Sequence, residues 1–359
     1  MKMMTRKKHP MNKISLKIAG LLATMLISWS CEPQFEDYDY NAVYFPHQFP
    51  VRTLSLGEDF FDNSNDREHK FEIGVVIGGM YENTSDWTVN FEVDHSLADS
   101  LLTAGGDTIR PLPSSYYTLS NDEYFTIPKG SFNGTIEVQL NDAFFEDSLS
   151  TGVHYVVPLR ITGTNADSVL SGSPKASVTD PDIRFESDWN SGQAPKNFTL
   201  FGIKFINDMH GDYLYRGYDL KTFNGKNIDT TITRERYLVD SEIWSLRTTA
   251  LNAVRTNAVS YNISSEGLYK MELQLNEDNT ITIHSLPGSM IEPYQTAENG
   301  ESTFVEDGAE WGGKPRDVMY LNYSYMEGGV LEHFVNDTIV FRDRAIAFEV
   351  FTPVKMQNK

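Results

Sequence analysis

From residue 43 onward the chain alternates apolar and polar positions with a period of two, and scarcely any stretch carries the spacing of an amphipathic helix. In "WTVNFEV", Trp87, Val89, Phe91 and Val93 fall on one face and Thr88, Asn90 and Glu92 on the other, as in a half-buried antiparallel strand. "YFTIPKGSFNGTIEVQL" (residues 124–140) predicts a hairpin around Pro128, Lys129 and Gly130, with Ile136, Val138 and Leu140 facing inward. "YVVPLRIT" (155–162) predicts a further strand, whose Pro158 lacks a ladder donor and so suits an edge or a bulge. Several such strands predict an all-β fold that opens with an immunoglobulin-like β-sandwich over residues 42–180.

After Val178 the alternation stops, and residues 181–197 collect Pro, Gly, Asp and Ser, the composition of a linker. It resumes in "FTLFGIKFIN", "GDYLYRGYDL", "TTITRERYLV", "LYKMELQL", "TITIHSL", "DVMYLNYSY" and "RAIAFEVF". "LQLNEDNTITI" is the clearest hairpin, with Met271, Leu273 and Leu275 inward and residues 276–279 turning the chain. A second antiparallel module is therefore expected over 198–359. Closure removes exposed strand edges, which favours a calycin-like β-barrel there over a second sandwich.

The first 41 residues follow a different pattern. Ile18 to Trp29 is mainly apolar and follows six basic residues with no acidic one, the layout of a cleaved signal peptide over 1–30. About 20 residues are needed to span a bilayer, so the run is too short for a permanent anchor. Cys31, the single cysteine of the chain, follows a small residue directly. It has no disulfide partner and no neighbouring metal ligands. These features predict bacterial lipoprotein processing, with Cys31 acylated and residues 31–41 forming an acidic tether; ordinary secretion is the alternative.

Loss of the six basic residues of 1–30 takes the formal charge from −20 to −26. Such a body repels phosphate backbones and anionic headgroups, so nucleic acid is excluded as a partner and membrane contact is expected through the lipid alone.

The segments "SSYYTLSNDEYFTIPKGSFNGTIEVQL" and "YVVPLRIT" resemble the N-terminal β-sandwich of surface lipoproteins from Bacteroidetes polysaccharide-utilisation loci, a domain shared with endo-acting glycosidases. "HGDYLYRGYDL" and "WGGKPRDVMYLNYSY" are similar to a C-terminal barrel-like domain of unknown function that accompanies it. The resemblance implies an outer-membrane lipoprotein, facing the cell exterior, that works beside a glycan importer. It carries no catalytic residues over.

No nucleophile elbow, zinc-protease motif, phosphate loop or dinucleotide fingerprint occurs. The seven histidines after His9 are scattered without metal-ligand spacing, and no cofactor or metal is expected. The leading expectation is a non-catalytic glycan-binding protein, with a pilin-like assembly subunit second and a glycoside hydrolase third. A pilin-like subunit would exchange a terminal strand, for which "AIAFEVF" is available. Sugar binding uses aromatic faces with a polar rim. Trp311, in the polar stretch "EDGAEWGGKPRD", is the first candidate platform; Trp189, between the modules, and Tyr215, in the tyrosine-rich "GDYLYRGYDL", are the others. Tyr213 and Tyr215 share a strand face and Tyr218 falls on the opposite one.

Overall fold

The computed structural model describes residues 39–58, 61–256, 270–289 and 291–356. Cys31, the signal segment and most of the tether lie outside them. The described chain is all-β. The first module holds β1 (Ala42–Tyr44), β2 (Pro50–Ser55), β3 (Lys70–Gly78), β4 (Trp87–Val93), β5 (Leu101–Thr103), β6 (Arg110–Pro111), β7 (Tyr117–Leu119), β8 (Tyr124–Ile127), β9 (Asn133–Leu140), β10 (Tyr155–Thr164), β11 (Ser168–Val169) and β12 (Phe198–Ile206). The second holds β13 (Gly211–Phe223), β14 (Lys226–Thr233), β15 (Ile243–Ala250), β16 (Ala253–Thr256), β17 (Met271–Leu275), β18 (Ile281–Ser285), β19 (Thr303–Trp311), β20 (Lys314–Glu327) and β21 (Leu331–Asp343). Two short strands, β22 (Glu349–Val350) and β23 (Pro353–Lys355), end the chain.

The sandwich consists of a sheet in the order β11-β1-β3-β9-β7 facing one in the order β22-β2-β12-β10-β4-β8, with β6 beside β10. Alternate residues supply its core: Phe71, Ile73 and Val75 from the first sheet meet Val89, Phe91, Leu159 and Phe205 from the second.

Two expectations are corrected here. β8 pairs with β4 and β9 with β3 and β7, so residues 124–140 are a corner between the two sheets and not a hairpin. Gly134 makes the corner possible, because a Cβ there would stand 2.1 Å from the Thr126 carbonyl oxygen. Pro158 lies inside a central strand, flanked by β12 and β4. Its carbonyl accepts from Asp94 N just past the end of β4. The missing N–H faces that same side, where the ladder has already stopped and no bond is lost.

The module boundary also moves. β12, expected to open the barrel at residue 198, lies in the sandwich between β10 and β2. Residues 181–197 are not a free linker: Arg184 donates to the carbonyls of Leu97 and Asp99, and Trp189 is buried. Sequence alternation marks strands, but it does not tell which sheet a strand joins. After β21 the chain returns, placing β22 on β2 and β23 on β5.

β13 to β21 form one antiparallel sheet in the order β18-β17-β16-β15-β13-β21-β20-β19, with β14 also on β13. It curls until its ends meet. Ile281 N donates to Ser302 O and Phe304 N to Asn279 O, so β18 and β19 close the barrel. Met271 and Leu273 point inward and Asn279 takes a left-handed turn (φ 63°), as the hairpin pattern predicts.

Candidate functional site

The three expected aromatic platforms occupy three separate surroundings. Trp189 is 6% exposed; its indole N–H donates to Asp182 O and its ring lies against Gly172. It pins the residue 171–195 segment to the sandwich and is closed to a ligand. Tyr215 stacks on Trp244 at 4.3 Å, with 8° between the rings, inside the barrel. It too is packed away, because its strand face is the one the barrel encloses. Trp311 ends β19 beside the turn Gly312–Gly313, in a hairpin and not a loop, and the Arg316 guanidinium sits over its ring at 4.8 Å.

Tyr215 belongs to a polar network within the barrel. Its hydroxyl and that of Tyr323 donate to the two oxygens of Asp337, at 2.9 and 3.0 Å. One layer along, His333 Nδ1 contacts both oxygens of Asp219 and its Nε2 contacts Glu327, which Lys221 holds at 2.7 Å. Lys221 keeps the Glu327 carboxyl below its ordinary range. Asp337 is 2% and His333 0% exposed, so the inner part of this network is scaffold, while Glu327 and Lys221 at its end are partly exposed.

Burial pushes the Asp337 carboxyl up to about 7; the hydroxyls of Tyr215 and Tyr323 pull against this, and the charges of Asp219 and Glu242 add to it. A carboxyl whose folded value exceeds its unfolded value binds more protons when folded, so its contribution is fully present below about pH 4 and is lost as pH rises through about 7. Between pH 5 and 8 that loss is on the order of 2–3 kcal/mol. Denaturant unfolding across this range is expected to show the decline in the wild type and a flatter profile in Asp337→Asn. Equal slopes would mean that Asp337 is not the titrating group.

The outer face of the same sheet has a different character. Strand alternation turns every residue between the inward ones outward, and the register sets them in rows across neighbouring strands. One row is Arg216, Thr338, Tyr320 and Thr303; the next is Ile232, Tyr218, Asn336 and Asn322. Tyr218 and Tyr320 are 37% and 38% exposed, an unusual state for two rings in the middle of a sheet. Between them Asn336 Nδ2 donates to Asn322 Oδ1 at 2.7 Å, and Asn322 Nδ2 donates to Glu301 O. These bonds fix both amides. Arg216 Nε is buried with no hydrogen-bond partner among the described residues. Exposed rings beside oriented amides and a guanidinium are the chemistry that grips a sugar.

Cavities also lie elsewhere among the described residues. An apolar groove of about 510 Å³ runs along the sandwich edge, lined by Phe45, Val51, Ile73, Phe201, Ile346 and Phe348. It offers few polar groups to orient a sugar. A pocket of about 240 Å³ between the modules is lined by Glu58, Arg67, Asp208, Phe304, Asp317 and Arg344. Burial pushes the Asp208 carboxyl up there, and Arg344 is already engaged by main-chain carbonyls.

The outer-face residues were partly legible in the sequence. Tyr218 reads as lying opposite Tyr213 and Tyr215. Tyr320, Asn322, Asn336 and Thr338 were missed, because "YLNYSYM" carries aromatic residues at both phases and does not show which phase faces out.

A family model of an N-terminal domain matches residues 38–168, and one for a domain of unknown function, DUF5627, matches residues 208–345. No curated protein matches the chain. Among solved structures, a Bacteroides ovatus protein of unknown function is 34% identical with a TM-score of 0.78, over 89% of this chain and 100% of that one. A Bacteroides ovatus multidomain protein including DUF1735 is 13% identical with a TM-score of 0.41, over 89% of this chain and 97% of that one. A protein described as an auxiliary nutrient binding protein from Bacteroides thetaiotaomicron is 14% identical with a TM-score of 0.38, over 83% and 95%. At the last two scores the likeness supports no inference about this chain. The first match covers both modules, and the chain belongs to the same family as that Bacteroides ovatus protein, with a DUF5627 domain as its second module.

Proposed function

We infer that the protein is a non-catalytic lipoprotein of the outer membrane, anchored through Cys31, which binds a glycan on the outer face of its barrel and presents it to a partner import system. The observation that carries the binding reading is the pair Tyr218 and Tyr320, both over a third exposed, with the Asn322–Asn336 amide pair between them. Buried rings would be core. Exposed rings cost hydration at the surface, and a sugar whose C–H face covers them removes that cost. Support for the anchor is the signal-peptide layout before Cys31, and the importer rests on the family resemblance of both modules. The acidic body keeps the protein soluble beside the membrane.

Affinity electrophoresis through gels containing neutral plant and host polysaccharides tests the binding. Retardation by at least one polysaccharide is expected. Tyr218→Ala and Tyr320→Ala should each weaken it about tenfold, since loss of one well-placed aromatic contact costs on the order of 1–2 kcal/mol. Both sites are on the surface, so unfolding should stay within about 0.5 kcal/mol of wild type. Unchanged retardation in the double variant would remove this face from consideration.

One observation bears on the pilin-like alternative. The segment "AIAFEVF" already pairs with its own sandwich through β22, but over two residues only, and Phe348 and Val350 remain 72% and 61% exposed. Filaments formed by the purified mature protein, with no glycan retained, would favour that reading.

A further inference from the structure

We propose that this face binds internal stretches of a linear, uncharged glycan, which crosses the sheet obliquely and leaves over both edges. The proposal rests on the glycan reading above and adds the class of ligand.

Tyr218 lies on β13 and Tyr320 on β20, with β21 between them and one outward repeat of offset along the strands. Strand spacing and rise put their Cα atoms about 12 Å apart. The line joining them passes Asn336 and Thr338. Extended in one direction it reaches Ile232 on β14, 67% exposed; in the other it reaches Val305 on β19, 38% exposed. The five strands it crosses are about 19 Å wide. Residues 226–230 of β14 and 305–308 of β19 are all exposed, the latter lying beyond the short pairing of β19 with β18 at residues 302–304. A site that reads a chain end needs a wall to stop the chain, with polar groups turned along the chain axis toward that end. Among the described residues, exposure at both ends of this line leaves no such wall. The segment at Tyr294 and Asn299 covers Ser324 beside the line, not its two ends, so a unit in mid-chain makes the same contacts as a terminal one.

Charge narrows the class further. Arg216 is the one cation in the two rows that hold the tyrosines, and exposed Glu301 adjoins Asn322 at their edge. The mature chain carries a formal charge of −26 once the six basic residues of 1–30 are removed. A uronate-rich or sulfated chain would be repelled along its whole length. An uncharged chain meets no such field.

The experiment uses the mature protein and oligosaccharides of two to eight units cut from a polysaccharide that retards it in gels. Calorimetry should show affinity rising steeply with length until one oligomer spans both tyrosines, and then levelling. Reduction of the terminal sugar to its alditol should leave the affinity of the longest oligomers within twofold. The same oligomers oxidised to carboxylates at C6 should bind at least fivefold more weakly at low salt. A disaccharide that binds as tightly as the hexamer, loss of binding on terminal reduction, or tighter binding of the carboxylated series would overturn the proposal while leaving glycan binding intact. Retention of no polysaccharide would overturn both.

Discussion

Alanine at Gly217 is expected to lower unfolding stability by about 3–5 kcal/mol. Gly217 stands opposite Asp337 in the register, and the Tyr215 ring leans along its own strand across Gly217 to place its hydroxyl on that carboxyl. A Cβ at 217 would fall 2.0 Å from the Tyr215 oxygen and 2.7 Å from Asp337 Oδ1. Tyr215 cannot swing aside cheaply, because Trp244 is stacked against it. Overpacking costs about 1–3 kcal/mol and stripping a donor from a buried acid a comparable amount. Urea unfolding at pH 6 measures the sum. A loss under about 1 kcal/mol would mean that the ring has room the structure does not show.

Arg344→Ala is expected to cost a similar amount, about 3–4 kcal/mol, by loosening the junction of the modules. Arg344 is 3% exposed and follows β21 directly. Its guanidinium donates to the carbonyl oxygens of Asp208, His210 and Glu58 and lies over the Phe341 ring at 4.6 Å. One side chain thus ties the sandwich loop at Glu58, the crossing after β12 and the last barrel strand. Removing it leaves three carbonyls without that donor and the two modules without that tie. Arg344→Lys keeps the charge but presents one point in place of a planar fork, and is expected to recover less than half of the loss. Recovery to wild-type stability by lysine would show that charge alone suffices. Two separated melting transitions in Arg344→Ala, against one in the wild type, would locate the damage at the junction.

Particular strands show how far sequence reading reached. "LQLNEDNTITI" formed the hairpin its turn residues predict, because a tight turn and its two strands are a local matter. "YFTIPKGSFNGTIEVQL" has an equally good pattern, yet its halves went to opposite sheets. Alternation tells which residues face a core and is silent about which neighbour the backbone chooses. Pro158 suits an edge or a bulge by its missing donor; one neighbouring strand ending early gives a central strand the same permission. Trp189 and Tyr215 looked like platforms because aromatic residues among polar neighbours are conspicuous, but Asp182 and Asp337 proved to be the partners of their polar ends.

By itself the sequence determined an all-β chain in two modules and separated Tyr218 from Tyr213 and Tyr215, since a period of two is a property of any extended backbone. Tertiary structure alone decided that the barrel closes through residues 279–281 and 302–304, and that β12 completes the sandwich. It also decided which side of the tyrosine-rich strands stays wet. Those choices are made by contacts between residues from about twenty to more than a hundred positions apart, such as Ile281 with Ser302 and Tyr215 with Asp337, and no local pattern encodes them.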